Sequence, residues 1–165
     1  MKIRDRVLVL TGLSFGSRIS EGLGLTFGDV SGSYVQIKAS KQGYNTSYPI
    51  PEAYKMAVVE LKAHYEDQGI TVTDETPLFL SRNGDNKPIT RQQASLMVKA
   101  VCKALGIDGK INTHSFRKAF VTKIYEMTGH DLVKTKAYSR HKSIASLDYY
   151  IATTMDTGLV RELSW

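Results

Sequence analysis

Between residues 34 and 50 the chain changes character. Tyr34, Val35 and Ile37 on one side, and Tyr48 and Ile50 on the other, flank the segment Lys41-Gln42-Gly43-Tyr44-Asn45. Two short apolar runs around a Gly/Asn turn read as a β-hairpin. Pro49 and Pro51 mark the sheet edge and its end, because proline has no N–H for a ladder. This stretch excludes an all-helical fold. The surrounding segments exclude an all-β one.

Those segments carry helical spacing. Residues 3 to 14 read as a first helix, with Gly12 and Gly16 near its end. Arg18 to Leu25 reads as a second, with Ile19, Leu23 and Leu25 inward. Tyr54, Ala57, Val58, Leu61 and Tyr65 define a helix over 52–67. Residues 68–89 hold Gly69, Pro77, Gly84 and Pro88 and read as a loop around Leu78-Phe79-Leu80. Thr90-x-x-Gln93 is a capping box that opens the next helix. Ala94, Met97, Val101, Ala104 and Leu105 form its inner face, and Gly106 stops it. A further helix starts at Asn112 or Thr113. Residues 131–138 and 143–152 read as two short helices, and 155–165 as a last one. No repeat or interdomain linker interrupts 165 residues, so one mostly helical domain with a small sheet is expected.

Composition narrows the partners. The net charge is +6, which favours a polyanion. Cys102 is the single cysteine, so no intramolecular disulfide forms and a reducing compartment fits. There is no apolar run of membrane-spanning length. The N-terminus resembles a signal peptide only loosely, so a cytoplasmic location is expected. The dinucleotide and phosphate-loop glycine patterns, a zinc-type Cys/His cluster and a two-metal carboxylate cluster are all missing. No cofactor or metal is expected.

Several side chains suit work on a phosphodiester, each with a plainer alternative. His114 and Arg117 are i and i+3 and share a face. They lie in a first helical turn, where unpaired N–H groups and the helix dipole attract phosphate. Alternatively they are surface residues of a basic helix. Arg18 with Glu21 at i+3 is either a surface ion pair of little worth or a guanidinium held so that its fork meets an anion. Lys38 and Lys41 flank the hairpin turn, where lysines are ordinarily solvated. A hairpin lysine is also placed to enter a DNA groove and protonate a leaving alkoxide. Tyr149 and Tyr150 face about 100° apart on a helix, so one can be core and the other exposed.

Together these pieces resemble the catalytic domain of the tyrosine recombinases, the phage integrase family. The resemblance rests on Gly16-Ser17-Arg18-Ile19-Ser20-Glu21, on Ser40-Lys41-Gln42-Gly43 with Pro49 eight residues after the lysine, on His114-Ser115-Phe116-Arg117, and on His141-Lys142-Ser143-Ile144 with Tyr150. It runs from Arg4 to about Ile151. It implies an α+β, mostly α-helical domain over 1–165 with a small three-stranded antiparallel sheet at one edge. It implies Arg18 and Arg117 as phosphate-binding arginines, Lys41 as the hairpin lysine, His114 and His141 as the two histidines, and Tyr150 as the nucleophile. Tyr150 is preferred to Tyr149 by its distance from His141, and Lys41 to Lys38 by its distance from Pro49.

The implied activity is site-specific DNA recombination or integration, as in a phage or mobile element. Strands are cut and rejoined through a 3′-phosphotyrosyl intermediate, without metal or ATP. The implied partners are double-stranded DNA and further copies of the chain, assembled as a tetramer. A type IB topoisomerase-like activity and an idle DNA-binding remnant are the rivals. The chain departs from the family in lacking the N-terminal DNA-clamping domain and the helix that opens the catalytic domain, as a truncated product would. It also carries Arg140 where the family has glycine before the second histidine. That charge is expected to contact DNA or to disturb the turn. The tail from Met155 to Trp165 is expected to dock on a neighbouring protomer or on its own.

Overall fold

A computed structural model describes residues 1–38, 45–82 and 86–147. Helix α1 (Ile3–Phe15) is the organising element. It packs against α3 (Glu52–Asp67) on one side and α5 (Thr113–Met127) on the other. Val7, Leu8 and Phe15 of α1 are buried with Tyr54, Ala57 and Leu61 of α3. The rings of Phe15 and Tyr54 meet edge to face at 5.0 Å, the arrangement the aromatic quadrupole favours. The Thr11 hydroxyl donates to the Val7 carbonyl at 2.8 Å and lies 3.0 Å from the Tyr54 hydroxyl. Both buried hydroxyls are thereby satisfied.

Glycines set the distance between α1 and α5. A Cβ on Gly12 would lie 2.7 Å from Cβ of Phe116, so this position within α1 is a contact point and not a terminus. Gly16 ends the helix in the left-handed region at φ 55° and returns its N–H to the Gly12 carbonyl. A side chain on Gly16 would also run into the Phe120 ring. The backbone of α1 therefore comes close to α5 at its C-terminal end, which brings the Gly16 carbonyl within reach of Arg117.

Helix α2 spans Ile19–Leu23, shorter than the expected 18–25. The chain leaves the helix because the Leu25 carbonyl accepts the N–H of Leu78. That bond draws Leu78-Phe79-Leu80 into the core, where all three are buried. The strand pairing is as expected: β1 (Tyr34–Ile37) and β2 (Thr46–Pro49) pair antiparallel, with Val35 opposite Tyr48 and Tyr34 opposite Pro49, and the expected Gly/Asn turn over 41–44 lies outside the described residues. Val35, Ile37 and Tyr48 face inward. Pro51 caps α3.

The three-stranded sheet needs correction. Among the described residues the sheet has two strands. Further pairing is confined to isolated bridges, Thr26 with Pro77 and Leu80 with Pro88. Each bridge includes a proline, which supplies no N–H to continue a ladder.

Helix α4 (Arg91–Ala104) opens on the expected Thr90–Gln93 capping box. Its inner face keeps Ala94 and the partly buried Met97 of the expected set but not its C-terminal end. Ala94 and Val98 are buried, whereas Leu105 is 63% exposed. Helix α6 (Leu132–Ser139) starts at Asp131, whose carboxylate accepts the N–H groups of Val133 and Lys134. The expected helix over 143–152 is a short 3₁₀ turn at Ala145–Leu147 as far as the described residues reach. The expected helix over 155–165 lies outside the described residues.

Candidate active site

Four of the six expected site residues lie in the described part of the chain. Arg18 comes from the turn between α1 and α2, His114 and Arg117 from the first turns of α5, and His141 from the turn after α6. Lys41 and Tyr150 lie outside the described residues. The four that are placed converge. Both imidazoles are held below the ordinary histidine value by burial first and then by the same two guanidiniums, Arg117 and Arg18. His141 also feels His114. Three separate segments thus meet at one positively charged spot.

Arg117 is 1% exposed and is the largest fully buried side chain of the described residues. Its Nη1 donates to the Gly16 carbonyl, and its Nη2 to the Ser139 carbonyl at 2.8 Å. Nη2 also lies 3.4 Å from Nε2 of His141. The fork is therefore a strut between the end of α1 and the turn after α6, a role that the i, i+3 spacing with His114 gives no sign of. Carbonyl oxygens solvate a guanidinium without cancelling its charge, so its field still reaches both imidazoles.

The tautomer of His141 follows from its neighbours. Arg117 can only donate, so Nε2 of a neutral His141 accepts, and the ring proton sits on Nδ1. Nδ1 then donates to the Ser139 hydroxyl at 2.7 Å, and that hydroxyl points to the Lys136 carbonyl at 3.4 Å. Buried among cations, the imidazole has its pKa pushed down to about 4, so it is neutral at pH 7. Ser139 is a site residue that sequence reasoning missed. A serine two residues before a histidine has no signature of its own.

His114 is more exposed, and its pKa is lowered from the ordinary value by the same causes. The helix N-terminus beneath it is not an open anion site. The Asn112 side chain accepts the His114 N–H at 2.8 Å, the Asn112 carbonyl accepts the Ser115 N–H, and the Ser115 hydroxyl accepts the Asn112 N–H. The expectation that unpaired N–H groups there attract phosphate is corrected by this capping. The side chains carry the positive field instead.

Arg18 stands in extended backbone just before α2, with its side chain 47% exposed. Glu21 holds it at two points. One carboxylate oxygen accepts the Arg18 N–H at 2.9 Å, and the other pairs with its Nη1 at 3.0 Å. The Glu21 side chain is fully buried, so this is no surface ion pair. Arg140 pairs with the same carboxylate at 3.0 Å, with its own side chain 6% exposed. Its guanidinium carbon lies 5.9 Å from the centre of the Tyr48 ring, and the Tyr48 hydroxyl donates to the Tyr138 carbonyl. Arg140 therefore faces inward, and the expectation of a DNA contact is corrected. The turn it occupies is intact, in the left-handed conformation at φ 58°.

Residues 1–156 match the phage integrase family. Tyrosine recombinase XerD of Corynebacterium glutamicum is 28% identical over 156 residues, covering 94% of this chain and 50% of the relative. Tyrosine recombinase XerA of Pyrococcus furiosus is 27% identical over 157 residues, covering 93% and 51%. The chain thus spans about half the length of these relatives. The solved structure of XerA recombinase superposes with a TM-score of 0.69 at 19% identity, over 98% of this chain and 62% of that one. The XerH site-specific recombinase, in a post-cleavage complex with palindromic difH substrate, gives 0.72 at 21% identity, over 97% and 44%. The order of elements, the cluster of arginines and histidines and these likenesses have one explanation: the chain belongs to the phage integrase family.

Proposed function

We propose that this chain is the strand-cutting domain, residues 1–165, of a site-specific tyrosine recombinase acting on double-stranded DNA. The observation that carries the reading is the convergence of Arg18, His114, Arg117 and His141 from three separate segments into one cationic site. The named relatives, all tyrosine recombinases, support the same class of enzyme.

In this reading the Tyr150 oxygen attacks the scissile phosphorus and forms a 3′-phosphotyrosyl bond. The 5′-oxygen leaves and takes a proton from Lys41. A free tyrosine has a pKa near 10, so attack at neutral pH needs a base. His114 suits that role, since its lowered pKa keeps it neutral and able to accept the phenolic proton. Charge that builds on the non-bridging oxygens is met by Arg18 and Arg117. An arriving phosphate monoanion offsets the guanidinium field at His141 and favours its protonated, donating form. Attack by a 5′-hydroxyl of the partner strand reverses the chemistry. The bond energy is kept in the phosphotyrosine, so no metal or ATP takes part. Assembly as a tetramer on DNA from a phage or mobile element belongs to the same proposal.

The test is covalent capture. A library of randomised duplexes, nicked so that the short cleaved product diffuses away, is incubated with the protein and resolved under denaturing conditions. Protein-linked DNA is expected from the wild type and none from Tyr150→Phe. No adduct from the wild type, or an adduct that survives Tyr150→Phe but not Tyr149→Phe, overturns the assignment. Relaxation of supercoiled plasmid without strand exchange would point to the topoisomerase reading.

A further inference from the structure

Arg18 and Glu21 alone are a neutral pair. A carboxylate that takes up both the backbone N–H and the guanidinium of Arg18 fixes the arginine but also cancels the charge a phosphate would feel. The second guanidinium on Glu21 comes from Arg140, buried and paired at 3.0 Å. With it the trio carries +1, and the cation left facing outward is Arg18, with its side chain 47% exposed.

The backbone shows that this placement has a cost. Arg140 sits at φ 58° and ψ 34° at the end of α6, where a residue with a Cβ is strained relative to glycine. The side chain is then buried against Glu21 and over Tyr48, and its neighbour His141 reaches the same site. A solvent-facing arginine at this turn would have gained nothing from that strain.

We propose that Arg140 is a positioning residue that offsets the charge of Glu21, so that Arg18 acts on a phosphate as a full cation while Glu21 still holds it in place. The same ion pair ties the turn bearing His141 to the turn bearing Arg18. This rests on the reading of the site as a phosphodiester centre.

Inorganic phosphate is the first probe, titrated while the side-chain ¹H–¹⁵N signals of Arg18 are followed. Arg140→Met removes the charge and keeps much of the length. Arg140→Gly also removes it and relieves the backbone, so it keeps the test open if the Met variant misfolds. Each should weaken phosphate binding at Arg18 about tenfold, the scale of one unit charge nearby in a partly desolvated site. Arg140→Lys should stay within about threefold of wild type, since it keeps the charge. The decisive variant is Glu21→Gln combined with Arg140→Met. It returns the charge of the trio to +1 and should recover most of the phosphate affinity even though the ion pair that ties the two turns is still missing, whereas a strut acting through that tie alone would leave the affinity low while urea unfolding recovers.

On the captured DNA, Arg140→Gly should slow adduct formation about tenfold at saturating protein, with a smaller rise in half-saturation, because the scissile phosphate is one of several contacts and the offset acts most on the charge that grows in the transition state. Wild-type phosphate binding by both Arg140→Met and Arg140→Gly overturns the inference. So does an equal loss in Arg140→Lys, or no recovery in the double variant. If the wild type forms no DNA adduct while the phosphate titrations behave as stated, the recombinase reading fails and the charge offset stands.

Discussion

Arg18 and Arg117 carry the same charge, but their surroundings predict different phenotypes. Arg18 is half-exposed, so Arg18→Ala should cut DNA cleavage by about 10²–10³-fold, as when a transition-state charge partner is lost, while urea unfolding shifts little. Arg117 is buried and bonds two main-chain carbonyls. Arg117→Ala should therefore lose cleavage and also about 2–6 kcal/mol of stability, since the two carbonyls left unpaired cost about 1–3 kcal/mol each. Unchanged unfolding of Arg117→Ala would show that it is not a strut. His141 gives a prediction in pH. It has a pKa of about 4 in the folded protein against an ordinary 6.5. Between those values the unfolded chain binds more protons than the folded one, so its contribution is intact above about 6.5 and is lost as pH falls toward about 4. Urea midpoints at pH 7 and 5 should differ more for the wild type than for His141→Gln. Equal differences would mean that the imidazole is not held neutral.

The pairing of α1 with α5 is what makes Arg117 a strut, and it depends on Gly12 and Gly16. Gly16→Ala would combine a left-handed φ with a clash against the Phe120 ring. It should cost about 2–4 kcal/mol, the sum of the conformational penalty and overpacking, measured as a shift in the urea midpoint. Gly12→Ala meets Phe116 in standard helical backbone and should cost less. The reverse order would show that the spacing between the helices, not the Gly16 conformation, is the tighter constraint. The first turn of α5 is held by Asn112 and Ser115, so Asn112→Ala should cost about 1 kcal/mol as a lost N-cap.

With a net charge of +6, the molecule should bind DNA mainly through phosphates. Binding by residues 1–165 should be weak and steeply salt-dependent, with a log–log slope near −0.9 per phosphate contact. About half the length of the curated relatives is not matched by this chain, and base reading needs surface in the grooves. A tight, salt-insensitive complex with one sequence would contradict this. Among the described residues no helix is long and apolar enough to cross a membrane.

Much of this protein could be read from local pattern. The hairpin over 34–49, the helix 52–67 and the Thr90 capping box depend on period, turn chemistry and capping between residues a few positions apart, and such interactions are visible in a linear string. The order of Arg18, His114, Arg117 and His141 with Tyr150 was enough to suggest the family. Contacts between distant residues were not legible. The sequence does not say that Leu25 leaves its helix to pair with Leu78, that Val98 rather than Leu105 faces inward, or that bridges at Pro77 and Pro88 stop a third strand. Arg140 makes the same point at the site: as a letter it was an extra charge beside a histidine, expected to contact DNA or to disturb the turn. Its direction was decided by a buried carboxylate 119 positions away, because a charge shut out of water goes where an opposite charge already waits.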